Sequence, residues 1–396
     1  MRTKPYFFTL TFFTLIVLIN MVSPADAINK IMPVGDSITN GSASGVIPDN
    51  SAYYVSYRKA LWDKLLAAGY EIDFVGNRNS GSEIFGASEP ADHAGQPGWA
   101  DDQIVNGKPL VEPDADYLAI WLADYQPQIV LLHIGTNYLD PSPDDVEAIL
   151  DVIDAFSPNV WVVLARIINR ACCAEAPLCP VECQQTMDFN DNVEDMALDR
   201  INNPSIPAIP DKIVIVDMEA GADIDYRVQP VGDMWNDLHP FVPGYAKMAD
   251  LWFSGLMQIM PQADAGPDQI VNASAPVTLD AGGSFDPEGG DLSYKWVQTT
   301  GTPVVDLLPD DQAAMPTFGT PEVVKPDGEL LIFKVTVFDP DGLESTDSIS
   351  VTVLNCPGDF DLDNDVDALD LGEYVGGRGG LNLNGFVADF GKVNCQ

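Results

Sequence analysis

The arrangement of apolar and polar positions divides the chain into segments of different character. Continuous apolar runs at residues 28–34, 72–75, 129–134, 160–164 and 213–216 predict buried parallel strands. Between them, apolar residues recur at helical spacing, as in 54–65 and 146–153, and a last helix is predicted over 245–259. Strands that alternate with helices predict a three-layer α/β domain over 28–260, whose ligands bind at the carboxyl ends of the strands.

The pattern changes after residue 260. Residues 261–267 are linker-like, and in 263–354 apolar and polar residues alternate with a period of two. Ile349, Val351 and Val353, for example, are separated by Ser350 and Thr352. This alternation, interrupted by turn sequences such as 339–342, predicts a small antiparallel β-sandwich. Trp296 within it is expected in the core rather than on a sugar-binding surface.

The first 27 residues predict a signal peptide. A basic start with Arg2 and Lys4 precedes an apolar run over 6–22, and Ala25-Asp26-Ala27 has the small-x-small pattern of a cleavage site. No later segment reaches 18 apolar residues. We therefore expect a secreted protein, extracellular or periplasmic, with no membrane insertion after cleavage. A retained N-terminal anchor is the alternative.

Charge and cysteines narrow the choice of partners. With 19 basic and 60 acidic residues the net charge is −41, which argues against nucleic acid and anionic membranes and suits a neutral substrate or bound cations. Four of the six cysteines, Cys172, Cys173, Cys179 and Cys183, lie within twelve residues. In an exported protein local disulfides are favoured, and zinc is the competing interpretation, although no histidine lies near the cluster.

Acidic residues in the tail follow the spacing of a calcium loop. Residues 359, 361, 363, 365, 367 and 370, all aspartates, occupy positions 1, 3, 5, 7, 9 and 12. We predict a short α-helical module over 356–396 with one structural Ca²⁺, with a solvated acidic run as the alternative. The predicted ligands are Asp359, Asp361, Asp363, Asp365 and Asp370. A disulfide between Cys356 and Cys395 would clamp the ends of this module.

Candidate nucleophilic chemistry begins at Ser37, in "PVGDSITNG", directly after the first predicted strand. A serine at this place is commonly only a turn residue or a helix cap, so the hypothesis depends on a partner base. The chain has three histidines. His133 lies in a buried strand and His93 in a Gly/Pro-rich loop, whereas His239 lies just before the last helix. His239 is therefore the best candidate for the base.

Four short blocks resemble the SGNH (GDSL-like) hydrolases. "GDSIT", "GQPGW", "HIGTN" and "DLHPFVPGYAKMA" match the family's blocks in order across most of 28–258, and "YEIDFVGNRNSG" further resembles carbohydrate esterase family 3, which contains acetylxylan esterases. The resemblance implies a flavodoxin-like parallel sheet and Ser37 as nucleophile with His239 as base. It also implies an oxyanion hole formed by the Ser37 N–H, the Gly98 N–H and the Asn137 amide.

One position departs from the family pattern. The family places an aspartate three residues before the histidine, where this chain has Asn236, while Asp237 lies two before. We expect Asp237 to supply the carboxylate that stabilises the imidazolium. The alternatives are a Ser–His dyad oriented by a backbone carbonyl and, more remotely, Asp233.

The two C-terminal segments also show resemblances. "ADAGPDQIV" and "LDAGGSFDPEGGDLSYKW" resemble a PKD-type immunoglobulin-like domain, and "GDFDLDNDVDALDL" resembles a dockerin loop. A second dockerin repeat is absent or degenerate in "LNLNGFVADFGKVNC". This leaves a cohesin-like or cell-surface partner open.

Together these features predict a secreted serine esterase that removes acyl groups, acetyl in particular, from a carbohydrate such as xylan. Catalysis is expected to need no cofactor, and Ca²⁺ is expected only as a structural ion in the tail. A lipase or lysophospholipase on the same fold is the nearest alternative enzyme. A non-catalytic surface-display or carbohydrate-binding protein is the alternative from another class.

Overall fold

The computed structural model describes residues 28–42, 50–86, 89–108, 117–174, 180–203, 211–273, 275–321, 328–354, 366–375 and 390–391. The predicted signal peptide, over 1–27, lies outside the described residues. The same holds for four of the five predicted calcium ligands, Asp359, Asp361, Asp363 and Asp365, and for Cys356 and Cys395. Within the described residues, no helix is both long and apolar enough to cross a membrane.

A largely parallel sheet forms the centre of the first part of the chain. Within the described residues its strands are β1 (Asn29–Gly35), β2 (Ile72–Phe74), β3 (Arg78–Asn79), β4 (Asp92–Gly95), β5 (Ile129–His133), β6 (Trp161–Arg166) and β7 (Ile213–Asp217). Their order is β3-β4-β1-β5-β6-β7, with β2 also paired to β1. The five predicted strands are confirmed. The pattern missed β3 and β4, which have two and four residues.

Helices cover both faces of this sheet. They are α1 (Ser37–Asn40), α2 (Arg58–Ala67), α3 (Asp101–Asn106), α4 (Leu118–Tyr125), α5 (Asp144–Phe156), α6 (Pro180–Asn202) and α7 (Val242–Leu256). In β5, Leu131 packs in one apolar cluster with Trp252 of α7. Its neighbour Leu132 packs in a second cluster with Trp121 of α4. Because both faces are buried, the strands are apolar at successive positions rather than at alternate ones.

The second part of the chain forms two small sheets, one of them antiparallel and the other antiparallel except for one edge strand. Its strands are β8 (Gln269–Asn272), β9 (Pro276–Thr278), β10 (Ser293–Thr300), β11 (Thr317–Gly319), β12 (Glu329–Phe338) and β13 (Glu344–Leu354). One sheet has the order β10-β12-β13-β8, in which only β8 and β13 run parallel, and the other pairs β11 with β9. Trp296 is 1% exposed and donates to the Ala313 carbonyl, which confirms its place in the core.

The described part of the tail contains helix α8 (Ala368–Val375). Asp367 Oδ1 accepts from the Leu369 N–H at 2.6 Å, and Asp370 Oδ2 accepts from the Asp367 N–H at 2.8 Å. The Asp367 side chain therefore caps the start of the helix, and Asp370 holds the Asp367 N–H in return. Asp370 is fully buried. The calcium site to which it was assigned stays a prediction.

The β-sandwich docks on the α/β domain through residues 339–346, here called the docking turn. Asn29, at the start of β1, exchanges two hydrogen bonds with the backbone of Glu344, at 2.8 and 2.9 Å. Gln128, just before β5, donates to the Gly342 carbonyl at 2.7 Å, and Leu343 packs into the apolar cluster of the α/β domain. The sandwich therefore lies at the amino ends of the parallel strands, opposite the edge where ligands bind in such folds.

We predict that Asn29→Ala lowers the free energy of unfolding by about 2–4 kcal/mol, because Asn29 is fully buried and its loss leaves two buried backbone groups of Glu344 unpaired. Thermal and urea unfolding measure the change, with exposed Asn159→Ala as the matched control. Equal stability of the two variants would contradict the role of this contact.

Candidate active site

Ser37 lies at a sharp junction between β1 and the short helix α1. Asp36 precedes it, and its Oδ1 accepts from the Ile38 N–H at 2.8 Å. Asp36 is fully buried, and this burial raises the pKa of its carboxyl group to about 6. Because the first N–H groups of a helix have no intrahelical partner, the Ser37 N–H is a donor without a partner within α1.

His239 contacts Ser37, although the two residues are 202 positions apart in the sequence. Its Nε2 lies 2.8 Å from Ser37 Oγ, and its Nδ1 lies 3.2 Å from Asn236 Oδ1. The histidine lies in the loop between β7 and α7, and burial lowers the pKa of its imidazole below the ordinary 6.5. A neutral imidazole that faces the serine hydroxyl is the arrangement of a general base and its nucleophile.

The Asn236 amide is held in one orientation by its own loop. Its Oδ1 also accepts from the backbone N–H groups of Leu238, at 2.9 Å, and His239, at 2.8 Å. Rotating the amide would place its NH₂ group against both backbone donors, so the oxygen must face Nδ1. The Nδ1 atom of His239 then carries the proton, and Nε2 is left to accept the proton of Ser37.

The structure differs from the sequence-based expectation at Asp237. Its Oδ1 accepts from the Cys172 N–H at 2.9 Å, and its Oδ2 lies 3.8 Å from Arg170 Nη1. Asn236, three residues before the histidine, occupies the orienting position instead. Asn236 contacts Nδ1 of His239 because the loop curls around the Asn236 side chain, which accepts from two of the loop's own backbone N–H groups. The Asp237 side chain points to the neighbouring loop instead. Asp233 pairs with Lys247.

Disulfides brace the loop that carries His239. Cys173 bonds to Cys183, and Cys172 is also disulfide-bonded, which confirms disulfides in the cysteine cluster. The Ala171 N–H donates to the Asp237 carbonyl at 2.8 Å, next to the contact between Cys172 and the Asp237 side chain. Asp237 therefore joins the cysteine-rich loop to the histidine loop.

Gly98 and Asn137 follow the two strands that flank the carboxyl end of β1. Gly98 follows β4, Asn137 follows β5, and both strands pair with β1 at Gly35. The Asn137 amide donates to the Trp99 carbonyl at 3.0 Å, which joins the two loops. A Cβ atom at Gly98 would have no heavy atom within 4 Å, so glycine is required there by its φ of +74° rather than by crowding.

The other two histidines are committed to structural contacts. His93 lies in β4 rather than in a loop, where its Nδ1 accepts from the Gly95 N–H and its Nε2 lies 2.8 Å from Ser80 Oγ. His133 ends β5 fully buried, and burial lowers the pKa of its imidazole to about 4. Both rings are therefore neutral parts of the core behind the site.

Arg58 supports the site from behind and was missed as a functional residue. Its guanidinium is fully buried and donates to the carbonyls of Thr39, at 3.3 Å, and Asn40, at 3.4 Å, at the end of α1. It also donates to the Ala91 carbonyl at 2.6 Å, just before β4. The sequence signal for this role was that Arg58 stands at a position of α2 where the helical pattern otherwise places buried apolar residues. A guanidinium buried there costs free energy unless it finds hydrogen-bond acceptors.

A cavity of about 510 Å³ opens beside the histidine loop. Its lining consists of Ala171, Cys172, Ala174, Arg227, Val228, Val231 and Asp237. Two of these residues, Val228 and Val231, are exposed apolar side chains. The candidate site therefore lies next to a cavity that is lined by both apolar and charged side chains.

Comparisons with known proteins agree with part of this picture. Residues 265–353 match a family of PKD domains. A protein of Ruminococcus flavefaciens named "Multidomain esterase" is 28% identical over 266 residues, which cover 63% of this chain and 31% of that protein. The chain thus spans about a third of the length of this relative.

Two solved structures are also similar. The PKD domain of the KIAA 1837 protein is 32% identical over 23% of this chain and 84% of that one, with a TM-score of 0.20. A nucleoside hydrolase-related hypothetical protein from Saccharophagus degradans is 11% identical over 82% of this chain and 100% of that one, with a TM-score of 0.22.

We predict that Asn236→Asp raises kcat and shifts the acidic limb of kcat/KM to higher pH. In the wild type we expect that limb at lower pH than for an ordinary histidine, because burial lowers the pKa of His239. A carboxylate at position 236 stabilises the imidazolium and so raises this pKa. We expect kcat to rise about 10- to 100-fold. The reverse change, from aspartate to asparagine, lowers kcat of serine proteases by about 10⁴, but that loss reflects a wrong tautomer of the histidine. Rate–pH profiles measure both effects.

Asp237→Asn serves as the matched control for this experiment. It retains an oxygen for the Cys172 N–H and should leave the position of the acidic limb unchanged. A shift of the limb in Asp237→Asn, with none in Asn236→Asp, would reverse the two assignments.

Proposed function

We propose that this protein is a serine esterase with Ser37 as nucleophile and His239 as general base. The contact of 2.8 Å between Ser37 Oγ and His239 Nε2 carries the proposal, since Asn236 holds the opposite ring nitrogen in the required tautomer. The ordered sequence blocks of the SGNH hydrolases and the similarity to a protein named as an esterase support it.

In the proposed first step, Ser37 Oγ attacks the carbonyl carbon of the ester while His239 Nε2 takes the hydroxyl proton. The negative charge that develops on the carbonyl oxygen is stabilised by the N–H groups of Ser37 and Gly98 and by the amide of Asn137. One such preorganised donor is worth roughly 3–4 kcal/mol in comparable sites. The cycle needs no metal ion, because the imidazole supplies the proton transfer.

The second half of the cycle uses the same groups. His239 returns its proton to the alcohol oxygen, so the C–O bond breaks and the alcohol leaves. Water then attacks the carbonyl carbon of the acyl-serine while Nε2 takes a proton from it. The bond between that carbon and Ser37 Oγ breaks as Nε2 gives the proton to Oγ, which releases the carboxylic acid and restores both Ser37 and the neutral His239. Asn236 stabilises the transient imidazolium only through its amide dipole, so we expect a lower turnover number than with a carboxylate.

We propose that the substrate is an O-acetylated neutral polysaccharide of the xylan type. The net charge of −41 favours a neutral polymer over anionic lipid surfaces, which argues against the lipase alternative. Within the described residues, the sandwich contacts the amino edge of the sheet, opposite the carboxyl edge where a chain-like substrate would bind. The resemblance to acetylxylan esterases adds the acetyl group. An exported location follows from the predicted signal peptide.

We predict that Ser37→Ala and His239→Ala each lower kcat by at least about 10³, because nucleophile and base act as a unit. Hydrolysis of p-nitrophenyl acetate and acetate release from acetylated xylan measure the loss, with circular dichroism to verify folding. Ser254→Ala, at an exposed position of α7, is the matched control. Turnover near that of the wild type in either active-site variant would contradict the assignment.

We predict that kcat/KM falls steadily from the p-nitrophenyl acetate to the octanoate ester, because the acyl group of an acetylesterase occupies a short subsite next to the oxyanion donors. The same series in Ser37→Ala subtracts non-enzymatic hydrolysis. A maximum at octanoate would favour the lipase alternative. The absence of wild-type activity on every ester and on acetylated xylan would favour the non-catalytic one.

A further inference from the structure

Tyr138 is an exposed aromatic residue beside the candidate site. It follows Asn137 directly, in the loop between β5 and α5 at the carboxyl edge of the sheet. Its side chain is 80% exposed, and no other large apolar side chain of the described residues is more exposed. Within those residues the side chain makes no hydrogen bond and no ring contact. The described part of the fold therefore does not use this ring for packing.

The backbone of Tyr138 has an unusual conformation. Its φ is +54°, in the left-handed region. Within the described residues, three others besides glycine have a positive φ, and none of them is aromatic. Bulky side chains rarely adopt this conformation, because Cβ then comes too close to the backbone, whereas glycine adopts it readily. A tyrosine here costs folding free energy, and strained positions of this kind are frequent at binding and catalytic sites.

Contacts on both sides of Tyr138 maintain this conformation. Before it, the Asn137 amide donates to the Trp99 carbonyl at 3.0 Å. After it, Leu139 packs against the apolar cluster that contains Trp121. Because both neighbours are held, Tyr138 has little freedom to relax to a negative φ. Its ring is therefore presented to solvent from a fixed point of the chain, next to the residue whose amide is the proposed oxyanion donor.

The chemistry of an exposed tyrosine matches that of a sugar ring. The face of the aromatic ring contacts apolar groups, and the hydroxyl at its tip forms hydrogen bonds. A neutral sugar has C–H groups on the faces of its ring and hydroxyl groups at the edge. Pockets for small molecules bury most of the ligand, whereas a ring as exposed as Tyr138 covers only one side of what it binds. This arrangement suits a polymer that lies across the surface with its other side in water.

We propose that Tyr138 forms a sugar-binding subsite of the candidate active site, and that a neutral sugar residue of an acetylated polysaccharide stacks on its ring. The inference rests on the proposed function and names a residue that binds the alcohol part of the ester. Stacking next to Asn137 brings the acetylated sugar to the proposed oxyanion donors. Tyr138 therefore increases the affinity for the polymer and takes no part in the bond-making steps.

Hydrolysis of two esters tests the subsite: acetylated xylan, which has sugar rings, and ethyl acetate, which has none. We expect Tyr138→Ala to raise KM for acetylated xylan at least tenfold and to change kcat/KM for ethyl acetate less than threefold. Tyr138→Phe retains the ring and should keep KM within threefold of the wild type. Phe285→Ala removes an exposed ring of the β-sandwich and is the matched control, which should behave as the wild type does.

Thermal unfolding separates a binding role from a structural one. Tyr138→Gly removes both the ring and the unfavourable φ, although glycine loses more chain entropy on folding. We therefore expect a Tm within about 3 °C of the wild type, together with the same rise of KM for acetylated xylan as in Tyr138→Ala. A larger fall of Tm would mean that the ring stabilises the fold, and the subsite would be overturned.

Binding to a protein that cannot cleave the ester separates the subsite from the proposed function. Calorimetric titration of Ser37→Ala with acetylated xylan should show binding, and adding Tyr138→Ala should weaken its Kd at least fivefold. This weakening in a chain whose wild type hydrolyses no ester would support the subsite and overturn the proposed function. Esterase activity with unchanged KM and Kd in Tyr138→Ala would overturn the subsite alone.

Three further results would also overturn the subsite. The first is no binding of acetylated xylan by Ser37→Ala. The second is a loss of activity in Tyr138→Ala that is as large on ethyl acetate as on acetylated xylan, because the residue would then support catalysis in general. The third is a larger loss on ethyl octanoate than on acetylated xylan, because Tyr138 would then contact an acyl chain rather than a sugar.

Discussion

The pairing of β1 with its neighbours is the interaction on which the rest of the structure depends. β1 pairs with β2 and β4 on one side and with β5 on the other, so its two ends are held by adjacent strands. Its carboxyl end delivers Ser37 between the loops that carry Gly98 and Asn137. Its amino end delivers Asn29 to the backbone of Glu344. A shift of β1 by one residue would lose both contacts and exchange its two apolar faces.

The candidate site shows how a neutral side chain can orient the histidine that we propose as general base. Asn236 offers only a dipole to the imidazolium, but its oxygen is committed to three donors, two of them backbone N–H groups. An asparagine free to rotate would present either end to Nδ1, and half of its orientations would favour the wrong tautomer. The loop therefore secures the geometry of a triad while it gives up part of the electrostatic stabilisation. Asp237 contributes by joining this loop to the disulfide-bonded segment.

The two edges of the sheet have separate tasks. Polar groups that could take part in a reaction lie at the carboxyl edge. The ends of strands and the starts of helices there leave backbone N–H groups without a partner in their own element. The amino edge is covered by the sandwich through buried hydrogen bonds and Leu343. The contacts of the sandwich with Asn29, Gln128 and Trp161 lie at the amino edge, so they can stabilise the fold at the edge opposite Ser37.

The sequence by itself determined the α/β and β-sandwich classes, five of the strands of the first sheet, the presence of disulfides in the cysteine cluster, and Ser37 with His239 as candidates. These features follow from the spacing of apolar residues, from turn-forming residues and from residue type, all of which can be read within short stretches of sequence. Only the tertiary structure decided that Asn236 rather than Asp237 faces His239. The two differ by one position, and the choice depends on which backbone N–H groups bend the loop. The buried role of Arg58 also required the fold, since two of its acceptors, the carbonyls of Asn40 and Ala91, lie 18 and 33 residues away along the chain.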